Sequence, residues 1–205
     1  MTSAPPLPRA LVRGWPDAAL AATGIGLLVL AALPVHGGHV GSAEAAVFRI
    51  VNAVPLPIAV VWPVMQLGNV LVVPVAAVAA AAFRRWWLGL ELLVAGAGVY
   101  LLAKVVKGIV VRGRPDALLD DVVVRGAPAL GRGFVSGHAG LVTALLVVAW
   151  PWLSRPGRIV CAALAALVCL ARVQVAAHLP LDVVGGAALG LAVGGVVRLV
   201  LGRPA

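Results

Sequence analysis

The sequence predicts an all-α integral membrane protein, a bundle of six transmembrane helices in a single domain that spans residues 1–205. Of the 205 residues, 62% are hydrophobic and 11% are charged, whereas about a quarter of a soluble domain is usually charged. Too few polar side chains are therefore available to cover a water-facing surface. Apolar runs long enough to cross a bilayer, about 20 residues each, recur along the chain, and arginine pairs separate several of them.

The first apolar run, residues 19–35, follows Arg9 and Arg13, as the apolar part of a signal peptide would. No clear small-x-small cleavage site comes directly after it, so we interpret it as a retained first span. Residues 36–52 are glycine-rich at first and then weakly amphipathic. This pattern indicates an outer loop with an interfacial helix.

The second run, residues 57–83, is long for one span and contains Gln66, Gly68 and Asn69. Polar residues and glycine inside such a run favour a tilt or a break near its middle. The four remaining predicted spans are residues 88–111, 137–153, 159–177 and 180–201. The last of them repeats glycine at every fourth position, which predicts close helix packing, either inside the bundle or at a dimer seam. The oligomeric state is left open.

The positions of the positive charges predict the orientation of the bundle. Half of the 16 lysines and arginines form four pairs between the apolar runs: Arg9 and Arg13, Arg84 and Arg85, Arg155 and Arg158, and Arg198 and Arg203. With six spans all four pairs lie on one side, and tryptophans adjoin them, as expected for cytoplasmic loops with an aromatic belt. Both termini of this multi-pass protein of the cell membrane are therefore predicted to be cytoplasmic. The same distribution argues against nucleic acid as the partner of a chain with a net charge of +9.

The loop at residues 112–135 is then predicted to face the outside, where the positive-inside tendency alone would not place its arginines. It carries Arg112, Arg114, Arg125 and Arg132. An anionic ligand is the simplest explanation for this group. For Arg125 and Arg132, solvated loop charges explain the positions equally well.

Residues able to carry chemistry fall into three groups at the predicted outer ends of the last four spans. The groups are Lys107 with Arg112, Arg114 and Pro115, then Ser136, Gly137 and His138, and then Arg172, His178 and Asp182. Lysine and arginine can surround a phosphoryl group and neutralise the charge on its equatorial oxygens. A serine-capped helix start favours an anion, and two histidines can act as nucleophile and general acid. The three groups therefore suit phosphate chemistry.

Together, the three groups resemble the type 2 phosphatidic acid phosphatase family, which is related to the vanadium haloperoxidases. The family pattern reads K-x6-R-P, P-S-G-H and S-R-x5-H-x3-D, and residues 104–186 carry the three motifs in this order. Val135 replaces the family's usual proline and Ala171 its usual serine or glycine, at positions that do no chemistry. The resemblance implies a membrane-embedded phosphatase with its active site at the extracytoplasmic ends of helices 3 to 6.

The resemblance also implies a role for each matched residue. His178 would attack phosphorus and form a phosphohistidine, Asp182 would support it, and His138 would protonate the leaving group and then activate water. The residues that hold the phosphate would be Lys107, Arg114, Ser136, Gly137 and Arg172. The family needs no divalent metal, and neither a metal nor another cofactor is expected here.

The sequence also gives an expectation for each of three residues outside the core of the site: Arg112, Lys104 and Glu91. Arg112 fits the family's usual R-x-R-P and is either a secondary phosphate contact or a structural residue. Lys104, one turn before Lys107, is expected to snorkel to the outer interface. Glu91, near the cytoplasmic end of its span, is expected to pair with an arginine.

A lipid phosphate in the bilayer is the expected substrate, because the predicted site lies at the level of the head groups. A polyprenyl diphosphate, phosphatidate, phosphatidylglycerophosphate and a prenyl-linked sugar phosphate are all compatible with the sequence. Two alternatives are a lipid phosphotransferase that uses the same phosphohistidine and a non-enzymatic membrane transporter or binding protein.

Overall fold

The computed structural model describes residues 11–126 and 129–204, which form nine α-helices and one pair of two-residue strands. The prediction of an all-α bundle is confirmed for these residues, apart from the strands β1 (Leu11–Val12) and β2 (Arg203–Pro204). The strands pair antiparallel and join the beginning and the end of the described chain. Arg9, which forms the first group of two positive charges with Arg13 in the sequence, lies outside the described residues.

The first apolar run folds as α1 (Trp15–Ala32), and a 3₁₀ segment, Leu33–Gly38, continues it. The amphipathic segment after it forms α2 (Ser42–Asn52). Its buried residues are Glu44, Ala45, Phe48 and Asn52, which share one face of the helix because they recur at intervals of about four.

The second apolar run is broken, as its polar residues predicted. It forms α3 (Ile58–Gln66) and α4 (Val72–Ala82). In the turn between them, Asn69 Nδ2 donates to Gln66 Oε1 at 3.1 Å, and Asn69 Oδ1 accepts from the Leu71 N–H at 3.1 Å. The turn places Gly68 against the side chain of His138, so closely that a Cβ atom would lie 2.9 Å from His138 Cβ.

The rest of the chain supplies five helices. They are α5 (Trp86–Ile109), the short α6 (Pro115–Leu118), α7 (Gly137–Ala149) with a 3₁₀ turn at Trp150–Trp152, α8 (Arg155–Gln174) and α9 (Pro180–Leu201). In the most apolar 18-residue window of α9, 67% of the residues are buried, against 28% for α5 and 17% for α8. The last helix is therefore the centre of the bundle, and α1, α5 and α7 pack around it.

The glycine repeat of α9 faces α7 inside the bundle. A Cβ atom on Gly186 would collide with the Ser136 carbonyl oxygen, and one on Gly190 would collide with the Gly140 carbonyl oxygen. Only glycine permits this close backbone approach. Of the two packing modes that the repeat predicted, the structure contains the one within the bundle.

Four helical segments among the described residues are long and apolar enough to cross a membrane: Trp15–Gly38, Trp86–Ile109, Arg155–Gln174 and Pro180–Leu201. The apolar helix α4 and the segment from α7 to Trp152 are shorter. Large apolar side chains such as Ile25, Val78 and Ile159 are exposed on the bundle surface, as lipid contact requires. The chain is thus a helical bundle with four candidate spans, and the number of six crossings stays a prediction.

Each end of the bundle contains its own set of hydrogen-bonded polar residues. At one end the Ser136 N–H donates to the Asp182 carbonyl oxygen at 2.8 Å. At the other end Trp152 Nε1 donates to Glu91 Oε2 at 2.9 Å. We call the end that contains residues 107–137 and 172–182 the site end, and the end that contains Asp17, Glu91 and Arg198 the opposite end.

Candidate active site

The segment between α5 and α7 folds back over the site end. Lys107 Nζ donates to the carbonyl oxygen of Arg132 at 2.8 Å, and Arg132 Nη1 donates to the Lys107 carbonyl oxygen at 2.6 Å. This reciprocal pair fixes the loop on the last turn of α5. All nine residues predicted for the site are thereby brought to the same end: Lys107, Arg112, Arg114, Ser136, Gly137, His138, Arg172, His178 and Asp182.

The first turn of α7 supplies backbone donors. Ser136 is the fully buried N-cap residue, and its Oγ accepts from the Ala139 N–H at 3.5 Å. The first N–H groups of a helix have no partner within the helix, and the helix dipole adds partial positive charge there. Gly137 has open space where a Cβ atom would be. This turn can therefore approach an anion closely.

His178 and Asp182 lie where α8 gives way to α9. Pro180 is the first residue of α9, and Asp182 Oδ2 accepts from the Leu179 N–H at 2.9 Å. The same oxygen lies 3.6 Å from His178 Nδ1, which is close enough for electrostatic support but longer than a hydrogen bond. Burial is the main cause that lowers the pKa of His178 to about 3, and Asp182 opposes this shift. His178 is therefore held as a neutral imidazole.

Arg114 lies directly beside the ring of His178. Its Nη1 lies 3.0 Å from His178 Nε2 and 3.2 Å from Nδ1. Nη1 is thus almost equally far from both ring nitrogens and places a positive charge beside the ring. The remaining donors of Arg114 contact the carbonyl oxygens of Leu130, Gly131 and Ala177.

Arg172 has few hydrogen-bond partners among the described residues. Its Nη1 lies 3.6 Å from the Met65 sulfur, a weak acceptor, and its buried Nε has no hydrogen-bond partner within the described residues. It borders a cavity of about 260 Å³ between α3 and α8. A buried donor without a partner is costly unless a ligand satisfies it. Arg172 is therefore suited to an anion.

His138 borders a second cavity, of about 380 Å³, together with Gly137 and Lys107. The cavity is bounded by the turn before α4, by α5 and by α7, and most of its wall is apolar. The second histidine thus faces a space that could accept an apolar group next to a cation.

This set of residues lies within the region recognised by a family model. The model described as the PAP2 superfamily matches residues 86–204, more than half of the chain. The chain belongs to the PAP2 superfamily. The resemblance found in the three sequence motifs is thus confirmed, and the matched region runs from α5 to β2.

Two solved membrane structures resemble this PAP2 chain. The LpxE structure from Aquifex aeolicus is 22% identical, with a TM-score of 0.72, and the match covers 79% of this chain and 98% of LpxE. At this identity the likeness shows the fold alone. The PAP2-type phosphatidylglycerolphosphate phosphatase from Bacillus subtilis is 26% identical, with a TM-score of 0.65, and the match covers 86% of this chain and 94% of that one. No curated protein matches the chain.

Arg112 is buried behind Asp182, and both of its terminal nitrogens have carboxylate partners. It is 1% exposed, and its Nη1 donates to Asp182 Oδ1 at 3.0 Å and to Glu44 Oε1 at 3.0 Å. Its Nη2 donates to Glu44 Oε2 at 2.6 Å. Of the two roles that the sequence left open, this geometry favours the structural one. Burial by itself lowers the pKa of Arg112, but Glu44 and Asp182 more than reverse this effect and keep the guanidinium charged.

Glu44 is a residue near the PAP2 site that sequence reasoning missed. It lies on α2, outside the region matched by the family model, and its Oε1 also accepts from the Leu181 N–H at 3.0 Å. A signal was present, because Glu44 precedes the buried Phe48 by four residues and therefore shares the apolar face of α2. A carboxylate on such a face indicates a buried cation as its partner.

The sequence left the role of Arg125 open and predicted that Lys104 extends to the outer interface. Arg125 Nη1 donates to the Gln174 carbonyl oxygen at 2.8 Å, so this loop arginine is tied to the end of α8. Lys104 does not extend outward. Its Nζ donates to the Tyr100 hydroxyl at 2.8 Å and lies 4.1 Å from the centre of the Tyr100 ring, one turn deeper along α5.

Proposed function

We propose that the chain is a metal-independent phosphatase that hydrolyses a lipid phosphate or diphosphate through a phosphohistidine. In this proposal His178 is the nucleophile, Asp182 supports it, and His138 is the general acid and then the general base. The phosphate is held by Lys107, Arg114, Ser136, Gly137 and Arg172. Arg112 is a positioning residue behind Asp182.

One observation carries this proposal: a neutral, buried histidine lies beside both a carboxylate and an arginine. His178 is 2% exposed, 3.6 Å from Asp182 Oδ2 and 3.0 Å from Arg114 Nη1. A neutral imidazole has a free electron pair for attack, and the guanidinium beside it can bind the oxygens of the phosphoryl group. This combination supports attack on phosphorus better than it supports simple anion binding.

In the first step, Nε2 of His178 bonds to phosphorus and the bond from phosphorus to the leaving oxygen breaks. The electron pair of that bond goes to the leaving oxygen, which takes a proton from His138. The Nδ1–H of His178 faces Asp182, which stabilises the positive charge that develops on the ring.

In the second step, water attacks the phosphorus of the phosphohistidine while His138 takes its proton. The bond between phosphorus and His178 Nε2 breaks, its electron pair returns to the ring, and inorganic phosphate leaves. Lys107 and Arg172 neutralise the charge on the equatorial oxygens in both steps.

The substrate is proposed to be a membrane lipid. A polyprenyl diphosphate, phosphatidate and phosphatidylglycerophosphate all carry the phosphoryl group that this chemistry requires, and the Bacillus subtilis relative is named as a phosphatidylglycerolphosphate phosphatase. The arginine pairs support six crossings with cytoplasmic termini and an extracytoplasmic site.

The test is phosphate release by the detergent-purified protein in EDTA from these three kinds of lipid. We expect His178→Ala to lower the rate by about 10³-fold or more, because the nucleophile is lost. His36→Ala is the matched control, since His36 is an exposed histidine between α1 and α2. The hydrolase proposal fails if the wild type releases nothing from any lipid, or if His178→Ala equals the wild type.

Two other functions would give different results. A phosphotransferase would move the phosphoryl group to an added lipid or sugar alcohol in preference to water, and the phosphorylated acceptor would appear among the products. A transporter or binding protein would keep its biological activity in His178→Ala.

A further inference from the structure

The cavity beside His138 contains a cation that the proposed reaction does not use. Its wall includes the apolar residues Val99, Ala103 and Leu141, and it also includes Lys104 next to Tyr100. A lysine within an apolar helix costs free energy, and such residues usually have a function. The presence of a lysine in this apolar wall therefore needs a functional explanation.

The Lys104 side chain does not extend in the direction that snorkelling to the outer interface would require. The Nζ atom donates to the Tyr100 hydroxyl at 2.8 Å, and Tyr100 lies one turn farther from the site end. The side chain thus follows the usual tilt of helical side chains toward the N-terminus. Because the lysine only donates, the Tyr100 O–H remains free to donate to a second acceptor. The pair presents an ammonium and a hydroxyl donor to the cavity.

The position of His138 identifies what this cavity would receive. In the proposed reaction His138 gives its proton to the leaving oxygen, so the leaving group lies on the His138 side of the phosphorus. His138 and Lys104 border the same cavity, which makes it the leaving-group cavity. Lys104 lies on α5 three residues before Lys107, about 4.5 Å along the helix axis. The two lysines therefore can contact neighbouring parts of one substrate.

The chemistry of the leaving group then depends on the substrate. A lipid monophosphate releases an alcohol, which is neutral after protonation and has no use for a cation. A lipid diphosphate releases a lipid monophosphate, which carries negative charge. An ammonium and a hydroxyl donor in the leaving-group cavity match the second case.

We propose that Lys104 and Tyr100 form a binding subsite for the leaving phosphate, and that the substrate is a lipid diphosphate. The proposal rests on the hydrolase function proposed above. The bond between the terminal phosphorus and the bridging oxygen breaks, and its electron pair goes to the bridging oxygen. This oxygen takes the proton from His138, the lipid monophosphate keeps the negative charge of its other phosphoryl oxygen, and the terminal phosphoryl group is bonded to His178.

The test compares two substrates with the same chain, farnesyl diphosphate and farnesyl monophosphate, in detergent. The variants are Lys104→Met, Tyr100→Phe and the charge-keeping Lys104→Arg. Arg49→Met is the control, because Arg49 is an exposed cation on α2 and not part of the cavity wall. Lys104 is exposed, so these substitutions are compatible with folding, and gel filtration checks it.

We expect Lys104→Met to lower the ratio of kcat/KM for the diphosphate to kcat/KM for the monophosphate by about 10- to 100-fold, the range for loss of a charged hydrogen bond. Tyr100→Phe should lower the ratio less, and Lys104→Arg should keep most of it. An unchanged ratio in Lys104→Met overturns the proposal. So does an equal loss on both substrates that depends on anionic lipid in the micelle, which would indicate that Lys104 binds bilayer head groups.

The two proposals fail in different ways. If the wild type hydrolyses only the monophosphate, the diphosphate subsite is wrong and the hydrolase function stands. If the wild type hydrolyses neither substrate nor any glycerolipid phosphate, the hydrolase function is wrong and the subsite proposal falls with it.

Discussion

Asp182 and Asp17 are both fully buried carboxylates that contact arginine, but they lie at opposite ends of the bundle. Asp182 Oδ1 accepts from Arg112 Nη1 at 3.0 Å, and Asp17 Oδ1 lies 2.7 Å from Arg198 Nη2 in an ion pair. A comparison of the ion pairs alone would give no reason to place the chemistry at one end. The surroundings of the two carboxylates give that reason.

At the opposite end, the charged groups are used to hold the chain together. Asp17 also contacts Arg203 at 3.3 Å, so one carboxylate on α1 holds residues from α9 and from β2. Arg13 donates to the Val200 carbonyl oxygen at 3.0 Å, and β1 pairs with β2 beside it. This cluster therefore ties the two ends of the described chain to each other.

At the site end, the carboxylate instead faces a histidine, and further cations lie beyond it. Asp182 has His178 next to its second oxygen. Arg114 and Arg172 form no ion pair among the described residues, whereas Arg198 and Arg203 at the opposite end both pair with Asp17. All four histidines of the sequence lie in segments at this end. A buried ion pair is thus weak evidence of function, and what distinguishes a candidate active site is a titratable nucleophile beside cations that are not fully neutralised.

The largest expected difference between the ends is in catalysis. We expect Asp182→Asn to lower kcat by about 10³-fold, because the neutral amide no longer stabilises the positive charge on His178, as in other histidine–aspartate pairs. Asp17→Asn, the same change at the opposite end, should leave kcat of the folded fraction within about twofold. Phosphate release per mole of folded protein measures both variants, and similar losses in the two would contradict the assignment of the ends.

The second expected effect is on stability, and it is largest at the opposite end. Asp17→Asn leaves Arg198 and Arg203 without their buried carboxylate, which costs about 3 kcal/mol for a broken buried pair. The melting temperature of the detergent-solubilised protein should fall clearly. The control is Asp116→Asn, an exposed aspartate in α6, which should melt like the wild type. An unshifted melting curve for Asp17→Asn would show that the cluster does not hold the bundle together.

Much of the site was predictable because each motif is local in sequence and lies at a helix end. The spacing from His178 to Asp182 corresponds to one helical turn, and the structure has the two side chains on neighbouring positions around the start of α9. Gly68 and its polar neighbours predicted the break between α3 and α4, since a polar turn interrupts an apolar helix at low cost only where it has partners. In these cases the sequence itself contains the physical cause.

The residues that were missed depend on partners far away in sequence. Glu44 contacts Arg112 across 68 residues, and no periodicity relates the two. The direction of Lys104 is set by the neighbouring Tyr100 hydroxyl, whereas the sequence predicted the snorkelling that is usual at a helix end. The pairing of β1 with β2 could not be foreseen either, because two residues are too short to show an alternating pattern.

A third, smaller effect is expected for Glu44, which acts on Asp182 only through Arg112. Glu44→Gln keeps the shape of the side chain but removes the charge that holds Arg112 in place, and we expect kcat to fall about tenfold. The KM should change little, because Glu44 contacts no substrate in the proposed mechanism. Glu91→Gln, a matched change of a fully buried glutamate at the opposite end, should leave kcat unchanged.

The outcome of the Glu44 experiment decides between two roles. A fall in kcat at constant KM supports a positioning role for the chain of charges from Glu44 through Arg112 to Asp182. A higher KM with an unchanged kcat would instead indicate that Arg112 binds substrate. An unchanged kcat together with a lower melting temperature would make Glu44 a stabilising residue, comparable to Asp17.

The smallest expected effect concerns pH, and it belongs to the site end. Burial lowers the pKa of His178 to about 3 from its ordinary value of 6.5, so this side chain stays neutral in the folded protein. Below pH 6.5 the unfolded chain takes up a proton at this residue that the folded protein does not bind. The contribution of neutral His178 to stability is therefore fully present above pH 6.5 and is lost progressively as the pH falls towards 3.

Melting curves between pH 7 and pH 5 measure this contribution. The melting temperature of the wild type should fall more steeply over this range than that of His178→Asn, which cannot take up the proton. His36→Ala, which removes an exposed histidine, should follow the wild type. Parallel curves for the wild type and His178→Asn would mean that His178 is protonated equally in the folded and unfolded protein. The neutral histidine would then no longer distinguish the site end from the opposite end.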